Sequence, residues 1–193
     1  MIAIDVLCIG FLVREDGELK EAHSTSTLVR SGGRTVVIDP STPYMWPAIR
    51  TSFKQIGVFP KDVDTVILTH SHPDHTGNIG RYQNAKVVMM SGSDVEVPGA
   101  EIVDVDEHIV CPGVRMVRTP GHCPEECSVF IDGDLHYVAA GDAVPLEGNL
   151  TERKAPTVST DPEVALASID RIAEWADVVI PGHGRPFPVE RRR

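Results

Sequence analysis

No apolar run in this sequence approaches the length needed to span a bilayer. The opening MIAIDVLCIGF has neither the basic stretch nor the small-residue cleavage site of a secretory leader. Both absences lead to the expectation of a soluble, cytoplasmic protein with no membrane partner. Cysteine is sparse: Cys8, Cys111, Cys123 and Cys127 lack the paired CxxC spacing of a zinc ribbon. At 193 residues the chain is long enough to bury a core without disulfides, so reduced thiols are expected. Basic charge is also short, with 18 Lys and Arg against 28 Asp and Glu, a formal charge of -10. That balance disfavours a broad basic surface able to hold a nucleic-acid backbone by releasing counterions. The closing ERRR reads as a solvated tail. With no internal repeat and no low-complexity stretch, residues 1–193 read as one domain.

What is present is a series of short apolar strands. Ile2 to Ile9 opens the chain, and Thr25 to Val29 and Thr35 to Ile38 flank an SGGR turn as in an antiparallel hairpin. Met45, Ile49, Phe53 and Ile56 recur at helical spacing from Tyr44 to Ile56, and Gly57 follows where a helix would stop. Val63 to Leu68 reads as a buried strand, after which Pro73 suits the first turn of a helix carrying Asp74 and His75. Further strands are expected at Lys86 to Met90, Val114 to Arg118, Ser128 to Asp132, Leu135 to Ala140 and Asp177 to Ile180. Asp161 as N-cap and Pro162 at the first position begin a helix to Trp175, with Val164, Ile169 and Ile172 facing inward. Ser91 to Ala100 and Ala143 to Pro156 read as surface loops. Strand-rich and helix-bearing stretches alternate twice, as two sheets packed face to face with helices outside would require.

The stretch VILTHSHPDHTGN places His70, His72, Asp74 and His75 within six positions at a strand end. Three more residues of ligating type stand at the ends of expected strands: His122 in TPGHC, Asp142 in AAGDAV and His183 in PGHGRP. Imidazole and carboxylate suit zinc, and also iron or manganese, and seven such groups exceed what one tetrahedral ion can use. Two ions are the expectation. His23, His108 and His136 lie outside the pattern and read as ordinary histidines.

The ordered set His70-x-His72-x-Asp74-His75, His122, Asp142, His183 resembles the metallo-β-lactamase superfamily over nearly the whole chain. The resemblance implies an α+β fold, an αβ/βα sandwich of two mixed sheets with helices on the outer faces and metals at one edge. It implies that His70, His72 and His122 hold one zinc ion, that Asp74, His75 and His183 hold a second, and that Asp142 bridges them. It further implies a hydrolase in which a hydroxide held between the ions attacks an ester, thioester, lactone or phosphodiester, with Asp74 or Asp142 accepting a proton.

Aspartate at position 142 sets the chain apart from the antibiotic-hydrolysing branch, which typically has cysteine or serine there, and favours the binuclear branch resembling glyoxalase II, lactonases and zinc phosphodiesterases. With little sequence after His183 for the added domains of several relatives, a stand-alone catalytic core is the expectation. A loose likeness to a ribonuclease-active relative keeps a phosphodiester or RNA substrate in view against the acidic charge. Persulfide dioxygenases, with one iron, share the histidine pattern. A small-molecule substrate is the expected partner, and a homodimer stays open. Asp39 is a candidate carboxylate behind a ligating imidazole, Asp64 reads as a strand-start residue, and Cys123 and Cys127 read first as buried small hydrophobes. Arg153, Lys154 and Glu147 in one loop, and Arg81 and Tyr82 in another, are candidate substrate contacts.

Overall fold

The computed structural model describes residues 1–190, so the arginines of the ERRR tail lie outside the described residues. In chain order the elements are β1 (Ala3–Cys8), a hairpin of β2 (Phe11–Glu15) and β3 (Glu18–His23), β4 (Ser26–Ser31), β5 (Arg34–Ile38), α1 (Trp46–Ile56), β6 (Thr65–Ile67), α2 (Pro73–Thr76), β7 (Lys86–Met90) and β8 (Ala100–Val103). Then come β9 (Glu107–Cys111), β10 (Val114–Arg118), β11 (Cys127–Asp132), β12 (His136–Gly141), α3 (Glu147–Thr151), α4 (Pro162–Trp175), β13 (Val178–Pro181) and β14 (Phe187–Pro188).

Two six-stranded sheets result, ordered β1-β4-β5-β6-β7-β8 and β14-β13-β12-β11-β10-β9. Because side chains alternate across a strand, each central strand supplies two layers. Val36 and Ile38 of β5, Ile67 of β6 and Val88 and Met90 of β7 meet Met116, Cys127, Val129, Ile131 and Ala139 of the other sheet. The alternate positions Val37, Val66 and Met89 pack outward with Ile49 and Phe53 of α1. On the far side Phe130, Val138 and Val179 pack with Ile169 and Ile172 of α4. Burial on both faces explains the nearly unbroken apolar runs of these strands. The layers are the αβ/βα sandwich that the sequence implies, and among the described residues no helix is long and apolar enough to cross a membrane.

The α1 helix ends as its sequence requires: Gly57 takes φ 77°, a left-handed conformation, and its N–H donates to the Phe53 carbonyl. The Asp161 carboxylate caps α4 by accepting from the N–H groups of Glu163 and Val164. Val164 itself is exposed rather than inward, because Ala165, Ser168, Ile169 and Ile172 form the buried stripe of α4. The Ala143 to Pro156 segment is also more than a surface loop. Ala143 and Val144 are buried in the α4 layer, and α3 forms after them. The hairpin β2-β3 and the edge strands β8, β9 and β14 have no counterpart in the sequence reading.

This topology sets the site. β5 and β6 run parallel, as do β12 and β13 in the facing sheet. Asp39 follows β5, the His70 to His75 segment follows β6, Asp142 follows β12 and His183 follows β13, so chain reversals of both sheets meet at one edge.

Candidate metal centre

Each ligand-bearing turn is held by a local constraint. Pro73 begins α2 while His72 remains extended at φ -61° and ψ 144°. The chain therefore presents His70 and His72 from extended backbone and Asp74 and His75 from the first helical turn. Gly121, at φ 130°, lies so close to α4 that an added Cβ would run into the Ala165 backbone. Gly182 precedes His183, and a Cβ there would collide with Oδ1 of Asp142. Only glycine fits either position.

The seven predicted residues converge in one buried pocket. Ligating atoms of His70, His72 and His122 form one group and those of Asp74, His75 and His183 another, each group with all its atoms within 4.8 Å of one another. His70, His75 and Asp142 make a third such group that joins the two. Asp142 divides its oxygens between the triads. Its Oδ1 lies 3.1 Å from Nε2 of His183 and 3.6 Å from Nε2 of His75, while its Oδ2 lies 3.6 Å from Nε2 of His122. Asp74 Oδ2 stands 3.5 Å from Nε2 of both His75 and His183.

Hydrogen bonds outside the pocket set which ring nitrogens face inward. Nδ1 of His122 lies 2.7 Å from the Val158 carbonyl and Nδ1 of His183 lies 2.9 Å from the His23 carbonyl. A carbonyl only accepts, so each Nδ1 carries the hydrogen and each neutral ring points an Nε2 lone pair inward. Nδ1 of His75 meets Oδ2 of Asp39 at 2.8 Å, and Nδ1 of His70 meets the Thr69 hydroxyl at 3.0 Å, with Oε2 of Glu126 beside it at 3.2 Å. His72 is turned the other way, its Nδ1 3.0 Å from Nε2 of both His70 and His122. Nε2 of His75 and Oδ1 of Asp142 are buried without a partner in hydrogen-bond geometry. Converging lone pairs and unpaired buried acceptors are what a cation satisfies and another hydrogen bond does not, so the donor set fits metal ions.

The electrostatics agree. Burial, with His75 as the nearest positive neighbour, drives His70 well below the usual imidazole range, and burial and His122 lower His72. Burial opposes charge on Asp142 too, yet the facing rings of His183 and His75 hold its carboxyl well below the carboxylate range. At His75 the burial penalty is outweighed by Asp39 and Asp142, which raise the ring well above its ordinary value. A proton and a cation compete there for one lone pair, so ion binding releases protons.

Asp39 stands where the sequence suggests. Its oxygens accept from the Thr69 N–H and the Thr69 hydroxyl, both at 2.8 Å, as well as from His75. It does so at φ 48°, next to Ser41 at φ 59°, and the Asn78 amide donates to the Pro40 and Thr42 carbonyls across the same turn. Strain of this kind persists only where neighbours over-determine the backbone. Asp64 accepts the Thr35 N–H at the strand start, away from the pocket.

Several other candidates fall away. Arg153 forms a bidentate pair with Asp170 at 2.8 and 2.7 Å, and Tyr82 is buried in the α1 layer with Arg81 over the Trp46 ring. Burial pushes the Cys123 and Cys127 thiols up, and Cys127 directs Sγ to the Leu68 carbonyl, so neither carries thiolate character. Three contributions escape sequence reasoning: the main-chain carbonyls of His23 and Val158, which orient His183 and His122, and the buried carboxyl of Glu126, which faces His70. The sequence carries no signal for Glu126, which adjoins Glu125 in PEECS.

Comparison with known proteins adds to this geometry. The sequence profile described as the metallo-beta-lactamase superfamily matches residues 19–89. Metallo-beta-lactamase domain-containing protein 1 of Xenopus laevis is 31% identical over 97% of this chain and 82% of its own length. An N-acyl homoserine lactonase of Bacillus thuringiensis is 30% identical over 63% of this chain and 54% of that protein. A solved structure from Thermotoga maritima described as a metallo-beta-lactamase superposes with a TM-score of 0.80 at 19% identity, covering 97% of this chain and 99% of that one.

Proposed function

The chain belongs to the metallo-beta-lactamase superfamily, and from that premise we propose a hydrolase that holds two divalent cations, zinc foremost, and opens a small-molecule ester, thioester or lactone. The observation that carries this reading is the split of the Asp142 carboxylate between two triads of inward-facing ligand atoms. His70, His72 and His122 would hold one ion, Asp74, His75 and His183 the other, with Asp142 shared. Bound there, the ions supply Lewis acidity and make water nucleophilic near neutral pH.

The chain's own residues do the rest. Asp142, its side chain 12% exposed, fixes the spacing of the triads from inside. Asp74, at 18%, is the more open carboxylate and accepts a proton on the substrate side. Asp39 and the His23 and Val158 carbonyls hold the rings in the orientation described above. The likeness to a lactonase supports a lactone carbonyl as the first substrate to test, and the acidic balance of the chain weighs against a polyanionic one.

The test is a screen of lactones, thioesters and phosphodiesters against zinc-loaded protein with a chelated control. Turnover of a carbonyl substrate that disappears in chelator is the expected result. Cleavage of phosphodiesters alone, or turnover indifferent to chelator, would refute the reading, and one iron per chain with oxygen uptake on a sulfur substrate would replace it.

A further inference from the structure

Glu126 is fully buried, and its two oxygens do different work. Oε2 lies 3.2 Å from Nδ1 of His70, and Oε1 accepts the main-chain N–H of Asp142 at 3.0 Å. It therefore touches the outer edge of a ring in the first triad and the backbone of the residue that stands between the triads. Its place is narrow. Gly141 takes φ 53°, and a Cβ there would press on Glu126 Oε1 and Thr69 Oγ1 at 2.5 and 2.6 Å, so the strand end gives way to admit this carboxylate. The hydroxyl of Thr69, its hydrogen given to Asp39, accepts from the same His70 nitrogen at 3.0 Å, so this ring edge faces a hydroxyl and the Glu126 carboxyl together. Glu126 is thus the carboxyl group beside Thr69 at the outer edge of His70, as Asp39 is the carboxyl group at the outer edge of His75.

We propose that Glu126 is a positioning residue for the first triad: it orients His70 through Nδ1 and anchors Asp142 through the main chain, so one of the two ions depends on it far more than the other. This rests on the reading that the two triads bind two ions. An imidazole that coordinates through Nε2 donates its other N–H, and a carboxylate receiving it fixes the ring. In Glu126→Gln the amide oxygen can still accept from Asp142, but the amide nitrogen then meets His70 Nδ1–H donor to donor, which disfavours the ring form that presents Nε2.

Stepwise zinc titration of chelator-stripped protein, followed by calorimetry, tests this in wild type, E126Q and, as a neighbouring control, E125Q. The wild-type titration reports on the two-ion reading by itself: fewer than two ions there sinks that reading. Against a two-ion wild type, E126Q is expected to weaken one ion by about 10- to 100-fold and leave the other within about threefold. Both affinities unchanged, or both reduced alike, would overturn the role of Glu126. Should E126Q fail to fold, the wild type decides. In zinc-loaded protein the His70 Nδ1–H must give a slowly exchanging ring resonance with a nuclear Overhauser contact to the Glu126 methylenes, and its absence would overturn the proposal.

Discussion

A carboxylate whose two oxygens face different histidine groups is the smallest unit of this site. Asp142→Ala removes it and should lower turnover by at least about 100-fold with the circular dichroism spectrum unchanged, in the range that loss of a positioned acid–base group produces. Retained activity in that variant would exclude the role. Asp39 accepts from the Thr69 N–H, the Thr69 hydroxyl and His75 at once. An amide cannot accept all three, so Asp39→Asn should weaken zinc binding by about 10- to 100-fold in a competition titration against a chelator. At this scale the sequence was unusually readable, because imidazole and carboxylate at strand ends have few alternative uses in such density. Glu126 was not readable. Nothing in GHCPEECS distinguishes it from Glu125, which turns instead to the Ser71 hydroxyl at 2.7 Å. The difference is made by Gly141 and Thr69, which meet Glu126 only in the folded chain.

Among the elements, α4 couples stability to the site. Its cap residue Asp161 donates its N–H to the Gly121 carbonyl, and Thr160 donates to the His122 carbonyl. Asp161→Ala should therefore cost about 1 kcal/mol, read as a fall of about 3 °C in melting temperature. A larger cost follows at Gly121, where any side chain would press on the α4 backbone. Gly121→Ala is expected to lower soluble yield and melting temperature well beyond the Asp161 variant. The long, strongly periodic elements were visible in sequence because each buries one defined stripe. The hairpin β2-β3 was not, since four of its six β3 residues are exposed and little apolar alternation survives. Its turn, Asp16 at φ 51° and Gly17 at φ 83°, is the Asp-Gly turn that the letters EDGEL could have announced. The edge strands β8 and β9 leave Ile102 and Ile109 exposed, so apolar identity misleads there about which side faces the core.

For the whole molecule, two dependences on solution conditions follow. Burial pushes the Cys8 thiol up to about 11, and Cys111, Cys123 and Cys127 are raised by burial as well. The unfolded chain loses these protons first, near pH 8.5, so stability is full below that pH and falls as pH rises toward 11. Melting temperatures recorded from pH 8 to 11 should show the decline, and Cys8→Ala should remove one share of it. Ions held by folded ligands stabilise by mass action, about 2.7 kcal/mol at a hundredfold excess over the dissociation constant. Stripping them with chelator should thus lower the melting temperature by about 5 to 10 °C. The sandwich itself was legible because both sheets must bury two faces, whereas the assignment of each oxygen and ring nitrogen to a partner depends on distances that only the closed fold sets.

The most direct measurement is anomalous X-ray scattering at the zinc edge from crystals grown with excess zinc. The account predicts two peaks in each chain, one among His70, His72 and His122, the other among Asp74, His75 and His183, with Asp142 between them. No peak in that pocket, or a single peak that leaves one triad bare, would contradict it.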